Sequence, residues 1–197
     1  MPGSVSPMTD PAAAVADFAH EMGVLKRLRR AGWWQAGVRD PESVAEHSLR
    51  VAQLAALIAA EEGADPARAA YLGLWHDSQE TRTTDLPHTA RPYVTRTAGN
   101  EAITRDQVAH LPDAAARTVT NAVAEYEARQ TLEARCAKDA DKLECLLQAL
   151  EYRAAGHQHV QAWIDSSRAG LTTSFAARVA DAALAGSTMT WHDQARC

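Results

Sequence analysis

The spacing of apolar residues constrains the fold of this chain more than any other feature of its sequence. Val44, His47, Val51, Leu54 and Ile58 lie at steps of three and four, and several other segments repeat that period. Such spacing places residues on one face of an α-helix, which turns once every 3.6 residues. No segment shows the sustained alternation of β-branched residues that is typical of a half-buried strand. The sequence therefore predicts an all-α fold.

Capping residues mark where these helices begin and end. Ser43-x-x-Glu46 matches a capping box, Gly63 is suited to end the same helix, and Asp65-Pro66 supplies a capping acid followed by proline. Without repeats or linkers, the helices predict one domain over residues 12–197, after a Pro/Ser-rich leader at residues 1–11 that we expect to be disordered. The predicted helices cover residues 12–30, 44–62, 66–85, 101–110, 114–127, 132–155, 160–169 and 174–185, with loops at 32–37 and 87–92.

Composition excludes several classes of function. The 197 residues suffice for a full hydrophobic core, and a net charge of −5 argues against binding to nucleic-acid polymers, which require clustered excess Lys and Arg. The 3 cysteines are too few for a disulfide framework and fit a reducing cytoplasm. The longest apolar stretch, Val51 to Ala60, is too short to cross a bilayer. We therefore expect a cytoplasmic protein that does not associate with membranes.

Two histidines and two aspartates of types that bind divalent metal ions share the predicted interior. His47 lies in the buried stripe of its helix, His76 and Asp77 lie in adjacent rows of the next helix, and Asp141 lies in a mostly apolar stripe of the 132–155 helix. An ionised aspartate on such a face is costly unless a cation or hydrogen bonds compensate it. Each residue also has a structural explanation: a hydrogen-bonded core histidine, a solvated helix-end Asp77, or an Asp141 paired with Lys138 or Lys142. Helical phase alone leaves both interpretations open.

Three motifs resemble one known family. They are Pro41-Glu42-Ser43-Val44-Ala45-Glu46-His47-Ser48, then His76-Asp77-x-x-Glu80 with Asp85 five residues further on, and Asp139-Ala140-Asp141-Lys142-Leu143-Glu144. Together they resemble the HD-domain metal-dependent phosphohydrolases, and in particular their 5′-deoxynucleotidase branch. The resemblance covers roughly Leu25 to Tyr152 and implies a single-domain HD-domain helical bundle.

The resemblance also implies an activity and a role for individual residues. It implies one divalent ion, and cobalt, manganese, magnesium, zinc and iron all suit imidazole and carboxylate ligands. The ion would activate water to remove the 5′-phosphate of a small deoxynucleoside, or modified nucleoside, monophosphate. The resemblance further favours a homodimer. The implied metal ligands are His47, His76, Asp77 and Asp141, the catalytic acids are Glu80 and Asp85, and the substrate-binding residues are Arg30 and Trp33.

Some alternatives remain open at this point. Trp33 is equally suited to a core position, and Trp34 has the same chemistry. Either acid can act on the water, with the other protonating the departing 5′-oxygen. Some HD-domain proteins instead bind two irons with additional histidines and oxidise their substrate, and His88 and His110 lie in the corresponding interval. A non-catalytic nucleotide sensor with the same fold is the third interpretation.

Overall fold

The computed structural model describes residues 10–195. Residues 1–9 of the predicted leader therefore lie outside the described part, and the first helix begins at Pro11. Within the described range, two 3₁₀ turns (Gly23–Lys26 and His88–Tyr93) accompany the α-helices. The helices are α1 (Pro11–Met22), α2 (Gly32–Gln35), α3 (Val44–Glu62), α4 (Pro66–Trp75), α5 (Glu80–Thr83), α6 (Asn100–Gln107), α7 (Asp113–Ala128), α8 (Leu132–Ala154), α9 (Gln161–Ala169), α10 (Ser174–Ala185) and α11 (Thr190–Gln194).

The all-α prediction is confirmed. Between residues 10 and 195 the only extended pairing is an isolated bridge between Arg29 and Ser43. The predicted capping box of α3 is present, because the Glu46 amide donates to Ser43 Oγ at 3.2 Å and the Ser43 amide donates to Glu46 Oε2 at 2.6 Å. Gly63 ends α3 in the left-handed region at φ 77°, which glycine adopts without steric cost.

Three helices form the centre of the molecule. α8 packs against both α3 and α4, while α9 and α10 cover its other side. Gly73 lets α4 approach α3 closely, since a Cβ at that position would lie 3.2 Å from Ala52 Cα. This close approach brings the two histidine-bearing segments together. Side chains that fill the core with no more than 1% exposure include Val51, Ile58, Leu72, Leu143 and Leu146.

The prediction of one continuous helix over residues 66–85 is wrong, because turns separate two helices in this segment. α4 ends at Trp75, residues 76–79 form tight turns, and α5 begins at Glu80. Ser78 explains the break, because both its amide and its hydroxyl donate to the carbonyl of Trp75, at 3.2 and 2.9 Å, instead of continuing the α-helical pattern. His76 and Asp77 thus lie on a turn rather than on a continuous helix face.

The other differences are smaller. The helix predicted over residues 12–30 ends at Met22 and continues as a 3₁₀ turn, and the predicted loops at 32–37 and 87–92 contain α2 and most of the second 3₁₀ turn. The short helix α11 was not predicted. Among the described residues, no helix is both long enough and apolar enough to cross a membrane.

Candidate metal centre

The structure brings the four predicted ligand side chains into one cluster. His47 comes from α3, His76 and Asp77 from the turn after α4, and Asp141 from α8. His47 Nε2 lies 3.7 Å from Asp77 Oδ2 and 3.3 Å from Asp141 Oδ1, while His76 Nε2 lies 3.0 and 3.9 Å from the same two atoms. Two imidazole nitrogens and two carboxylate oxygens therefore face a common point.

Hydrogen bonds on the far side of each imidazole orient both histidines. His47 Nδ1 lies 2.5 Å from Glu144 Oε2, and His76 Nδ1 lies 2.7 Å from the carbonyl oxygen of Gly73. In the neutral form of each ring, a proton on Nδ1 leaves the Nε2 lone pair free, and this is the form that binds a metal ion. Both Nε2 atoms are buried without a hydrogen-bond partner. Buried nitrogens of this kind fit a divalent cation, with His47, His76 and Asp77 close enough together to hold one.

Glu144 contacts a predicted metal ligand, and the sequence interpretation did not identify this contact. Its side chain is fully buried, and its second oxygen accepts hydrogen bonds from Arg50 at 2.8 and 3.1 Å. Arg50 in turn donates to Gln148 and Glu151, both at 2.7 Å. The spacing of Asp141 and Glu144, three residues apart on one helix face, was the available signal.

The electrostatics of the cluster favour a bound cation. Burial and Arg30 lower the pKa of His47, but the carboxylates of Glu144 and Asp141 outweigh them and raise it to about 10. Burial raises the pKa of Asp77, yet the two histidines outweigh it and hold that pKa at about 2. The pKa of Asp141 lies below its ordinary value for the same reason. These carboxylates therefore stay ionised and attract positive charge.

Of the two acids in Asp139-Ala140-Asp141, only Asp141 faces the cluster. Asp139, also on α8, is buried, and its carboxylate accepts hydrogen bonds from two amides just before α10, those of Thr172 at 2.8 Å and Thr173 at 2.6 Å. Neither lysine pairs with Asp141: Lys142 donates to the carbonyl of Gly170, and the Lys138 ammonium lies over the ring of Tyr126. Asp141 instead accepts a 3.3 Å hydrogen bond from the Tyr126 hydroxyl.

The two acidic residues expected to act in catalysis lie beside the cluster. Glu80 begins α5, and its Oε2 atom is buried without a partner. Burial, together with the charges of Asp77 and Asp85, raises the pKa of Glu80 to about 9. Asp85 follows Thr84, whose φ of 60° turns the chain, and its Oδ2 accepts a 2.5 Å hydrogen bond from the amide of Ala31.

Arg30 and Trp33 occupy different positions relative to the cluster. Arg30 Nη1 lies 3.5 Å from Asp77 Oδ2, and its Nε lies 3.9 Å from Glu42 Oε1. Trp33 is only 1% exposed and donates its indole N–H to Glu42 at 3.0 Å. Its ring stacks on Trp163 with centroids 5.5 Å apart. Trp33 therefore belongs to the core and also borders the cavity, whereas exposed Trp34 does not line it.

A cavity of about 390 Å³ opens over the cluster. Its walls include Arg30, Glu80, Asp85 and His88, together with Lys138 and Trp163, which the sequence interpretation did not single out. Lys138 shares the helix of Asp141 and was considered only as its ion-pair partner, while Trp163 lay outside the quoted motifs. His110, the second histidine of the di-iron alternative, lies in a separate surface depression beside α1.

Three kinds of comparison show which known proteins this chain is similar to. A model of the HD domain matches residues 22–182. The 5′-deoxynucleotidase HDDC2 of Homo sapiens is 30% identical over 159 residues, covering 79% of this chain and 78% of that protein. The protein of the same name from Dictyostelium discoideum is 31% identical over 177 residues, covering 77% and 87%. A solved structure described as a predicted metal-dependent phosphohydrolase from Magnetospirillum magnetotacticum is 25% identical with a TM-score of 0.67, covering 91% and 94%.

Proposed function

This chain belongs to the HD-domain family, and from that premise we propose that it is a metal-dependent phosphohydrolase acting on nucleoside 5′-monophosphates. The observation that carries the proposal is the pair of buried, unpartnered Nε2 atoms that face Asp77 and Asp141, next to the equally unpartnered Glu80 carboxyl. The similarity to proteins named 5′-deoxynucleotidase supports a deoxynucleotide substrate.

The metal ligands in this proposal are His47, His76, Asp77 and Asp141. When bound there, a divalent ion supplies Lewis acidity toward the phosphate and lowers the pKa of water. Glu144 and the Gly73 carbonyl hold the two imidazoles in the required tautomer. The donor set admits cobalt, manganese, magnesium, zinc or iron, and does not select among them.

Glu80 and Asp85 are the proposed proton-transfer groups. One Glu80 oxygen is buried and makes no hydrogen bond, so it is available to orient water. The raised pKa of Glu80 would be lowered by a divalent ion held beside it, and the ionised carboxylate would then accept the proton of that water. Asp85, held by the Ala31 amide on the cavity wall, is placed to protonate the departing 5′-oxygen. Arg30 retains donors beyond those that face Asp77 and Glu42, and these suit a phosphate oxygen.

Trp33 is proposed to act through packing. It forms part of the cavity wall, and Trp163 and Glu42 hold it there, so it would shape the space for a bound nucleoside rather than donate a hydrogen bond to it. The cavity volume of about 390 Å³ suits a single nucleotide rather than a polymer, in agreement with the net charge of −5.

Cytoplasmic location and a homodimer remain predictions, as does a single domain over residues 12–197. The low cysteine content supports the location. On α10, Ala176 and Ala180 are fully buried against the core of the same chain, so this face of the helix does not support the dimer.

A phosphate-release screen tests the proposed function. Nucleoside and deoxynucleoside 5′-monophosphates are incubated with the protein and with cobalt, manganese, magnesium or zinc. We expect release by the wild type and a loss of at least about 100-fold in kcat with Glu80→Gln. No release with any ion would overturn the proposal in favour of a nucleotide sensor. Two irons per chain together with substrate oxidation would favour the di-iron alternative.

A further inference from the structure

Lys138 is a cationic residue of the cavity to which the proposed reaction assigns no role. It lies on α8, one turn before Asp141, and its half-buried side chain lines the cavity. Its ammonium nitrogen lies 3.8 Å from the centre of the Tyr126 ring. Within residues 10–195, no hydrogen bond or ion pair is formed by this nitrogen. Its three N–H donors are therefore not bonded to a carboxylate, although the charges of Asp141 and Glu127 act on the ammonium from beyond ion-pair distance.

Tyr126 fixes this ammonium relative to the metal ligands. The tyrosine is 1% exposed, its hydroxyl donates to Asp141 Oδ2 at 3.3 Å, and its ring centroid lies 5.3 Å from that of His76. One side chain thus contacts two proposed metal ligands and supports Lys138 through a cation–π interaction. An ammonium held in this way needs little reorganisation to receive an anion.

The other cations of the cavity differ from Lys138 in position or in partners. Arg30 already faces Asp77 and Glu42. Arg91, Arg96 and Arg129 line the cavity but are exposed, so solvent screens their charge. Among the described residues, Lys138 is therefore the half-buried cation of the wall that forms no direct ion pair with a carboxylate.

The charge balance of the site favours a second cation beside Arg30. Asp77 and Asp141 match the charge of a divalent ion, so the charge of a phosphate monoester must be met by protein cations. Burying an unmatched anion is costly. We propose that Lys138 binds a non-bridging oxygen of the substrate phosphate, on the α8 side of the cavity. This inference deepens the proposed function and rests on it.

Calorimetric titration tests the inference without requiring turnover. The metal-loaded protein is titrated with inorganic phosphate and, separately, with thymidine. Lys138→Met keeps the aliphatic stem over Tyr126 but removes the charge, and we expect it to raise the Kd for phosphate about tenfold or more. Lys138→Arg should restore most of the affinity. Thymidine, which lacks a phosphate, should bind all variants within about twofold of the wild type.

Arg135→Ala is the matched control, because Arg135 is an exposed cation on the same helix, one turn earlier, and does not line the cavity. It should leave the Kd for phosphate unchanged. An unchanged Kd in Lys138→Met, or an equal loss of thymidine binding, would overturn the inference. Phosphate binding that depends on Lys138 in a protein that hydrolyses no nucleotide would uphold the role of Lys138 and overturn the proposed function instead.

With thymidine 5′-monophosphate as substrate, the same variants give a second readout. Lys138→Met should raise KM about tenfold, with a smaller change in kcat, if the contact is made in both the ground state and the transition state. A lower kcat with unchanged KM and unchanged phosphate affinity would contradict a binding role. Metal content per chain, measured for every variant, separates loss of phosphate affinity from loss of the ion.

Discussion

Two polar networks support the candidate site from opposite sides, and they differ in burial. The histidine-side network consists of His47, Glu144 and Arg50 and joins α3 to α8. The segment-side network consists of Glu21, Thr81, Arg82 and Gln107 and ties α5 to α1 and α6. The first stands behind a proposed metal ligand. The second stands behind the short segment that carries Glu80 and Asp85.

The difference in burial indicates that the two networks have different roles. Glu144 is fully buried between long helices, so removing one partner would leave an uncompensated charge in the core. Glu21 and Arg82 are partly exposed, with side-chain exposures of 23% and 41%, so water can replace much of their interaction. We infer that the histidine-side network maintains ligand geometry and stability together. The segment-side network mainly restricts the motion of α5 and of the residues that follow it up to Asp85.

The largest expected effect comes from Glu144→Ala. The substitution removes the acceptor of His47 Nδ1 and leaves Arg50 without its buried partner. We expect metal affinity to fall about 10- to 100-fold. The free energy of unfolding should fall by about 3 kcal/mol. Metal titration and urea unfolding measure the two effects.

Glu151→Ala is the control for that substitution. Glu151 also accepts from Arg50, at 2.7 Å, but lies at the exposed end of the same network. It should change stability by less than about 1 kcal/mol and leave metal affinity unaltered. Equal effects of the two substitutions would show that burial does not distinguish the parts of the histidine-side network.

An intermediate effect is expected from Glu21→Ala. Glu21 accepts from Arg82 Nε at 2.7 Å and from the Thr81 hydroxyl at 3.0 Å, so its removal loosens α5 without touching a metal ligand. We expect kcat to fall roughly three- to tenfold, about 1 kcal/mol in the activation barrier, with metal affinity unchanged. Steady-state hydrolysis measures the change in kcat, and metal titration measures the metal affinity.

Exposed Asp17, one turn earlier on α1, supplies the control Asp17→Ala, for which no change in kcat is expected. A fall in metal affinity with Glu21→Ala would contradict the division between the networks.

The two networks also show which parts of the molecule were predictable from sequence. The ends of α3 followed from local chemistry, since its capping box and its helix-ending glycine act within a few residues. The convergence of His47 and Asp141 followed from helical phase together with the family resemblance. The contact between His47 and Glu144 spans 97 residues, and no periodicity within one helix specifies such a pairing.

Local sequence patterns did not predict features that depend on side-chain hydrogen bonds or on contacts between helices. Ser78 hydrogen bonds back to Trp75 and interrupts the helix there, although the apolar spacing continues through that position. Trp33 was equally suited to the core and to the substrate, and its ring packs against Trp163 and Tyr152 at the edge of the cavity, so its role in substrate binding stays a prediction. Lys138 could not be separated from an ordinary helix-surface lysine, because its position depends on Tyr126, which comes from α7.

The smallest expected effect is the pH dependence of the segment-side network. Hydrogen bonds from Arg82 outweigh partial burial and hold the pKa of Glu21 below its ordinary value of 4.5. A carboxyl with a lowered folded pKa contributes stability above its unfolded pKa, and that contribution is lost as pH falls through the folded pKa. The wild type should therefore exceed Glu21→Gln in stability by up to about 1 kcal/mol from pH 7 down to about pH 5. The difference should shrink at lower pH, where the protonated carboxyl resembles the amide. Urea unfolding of both proteins between pH 3 and 7 measures this difference in stability.

The control repeats the comparison in an Arg82→Gln background. There, the stability difference between the proteins with and without Glu21→Gln should vary little with pH, and a persistent pH dependence would show that Arg82 is not its source.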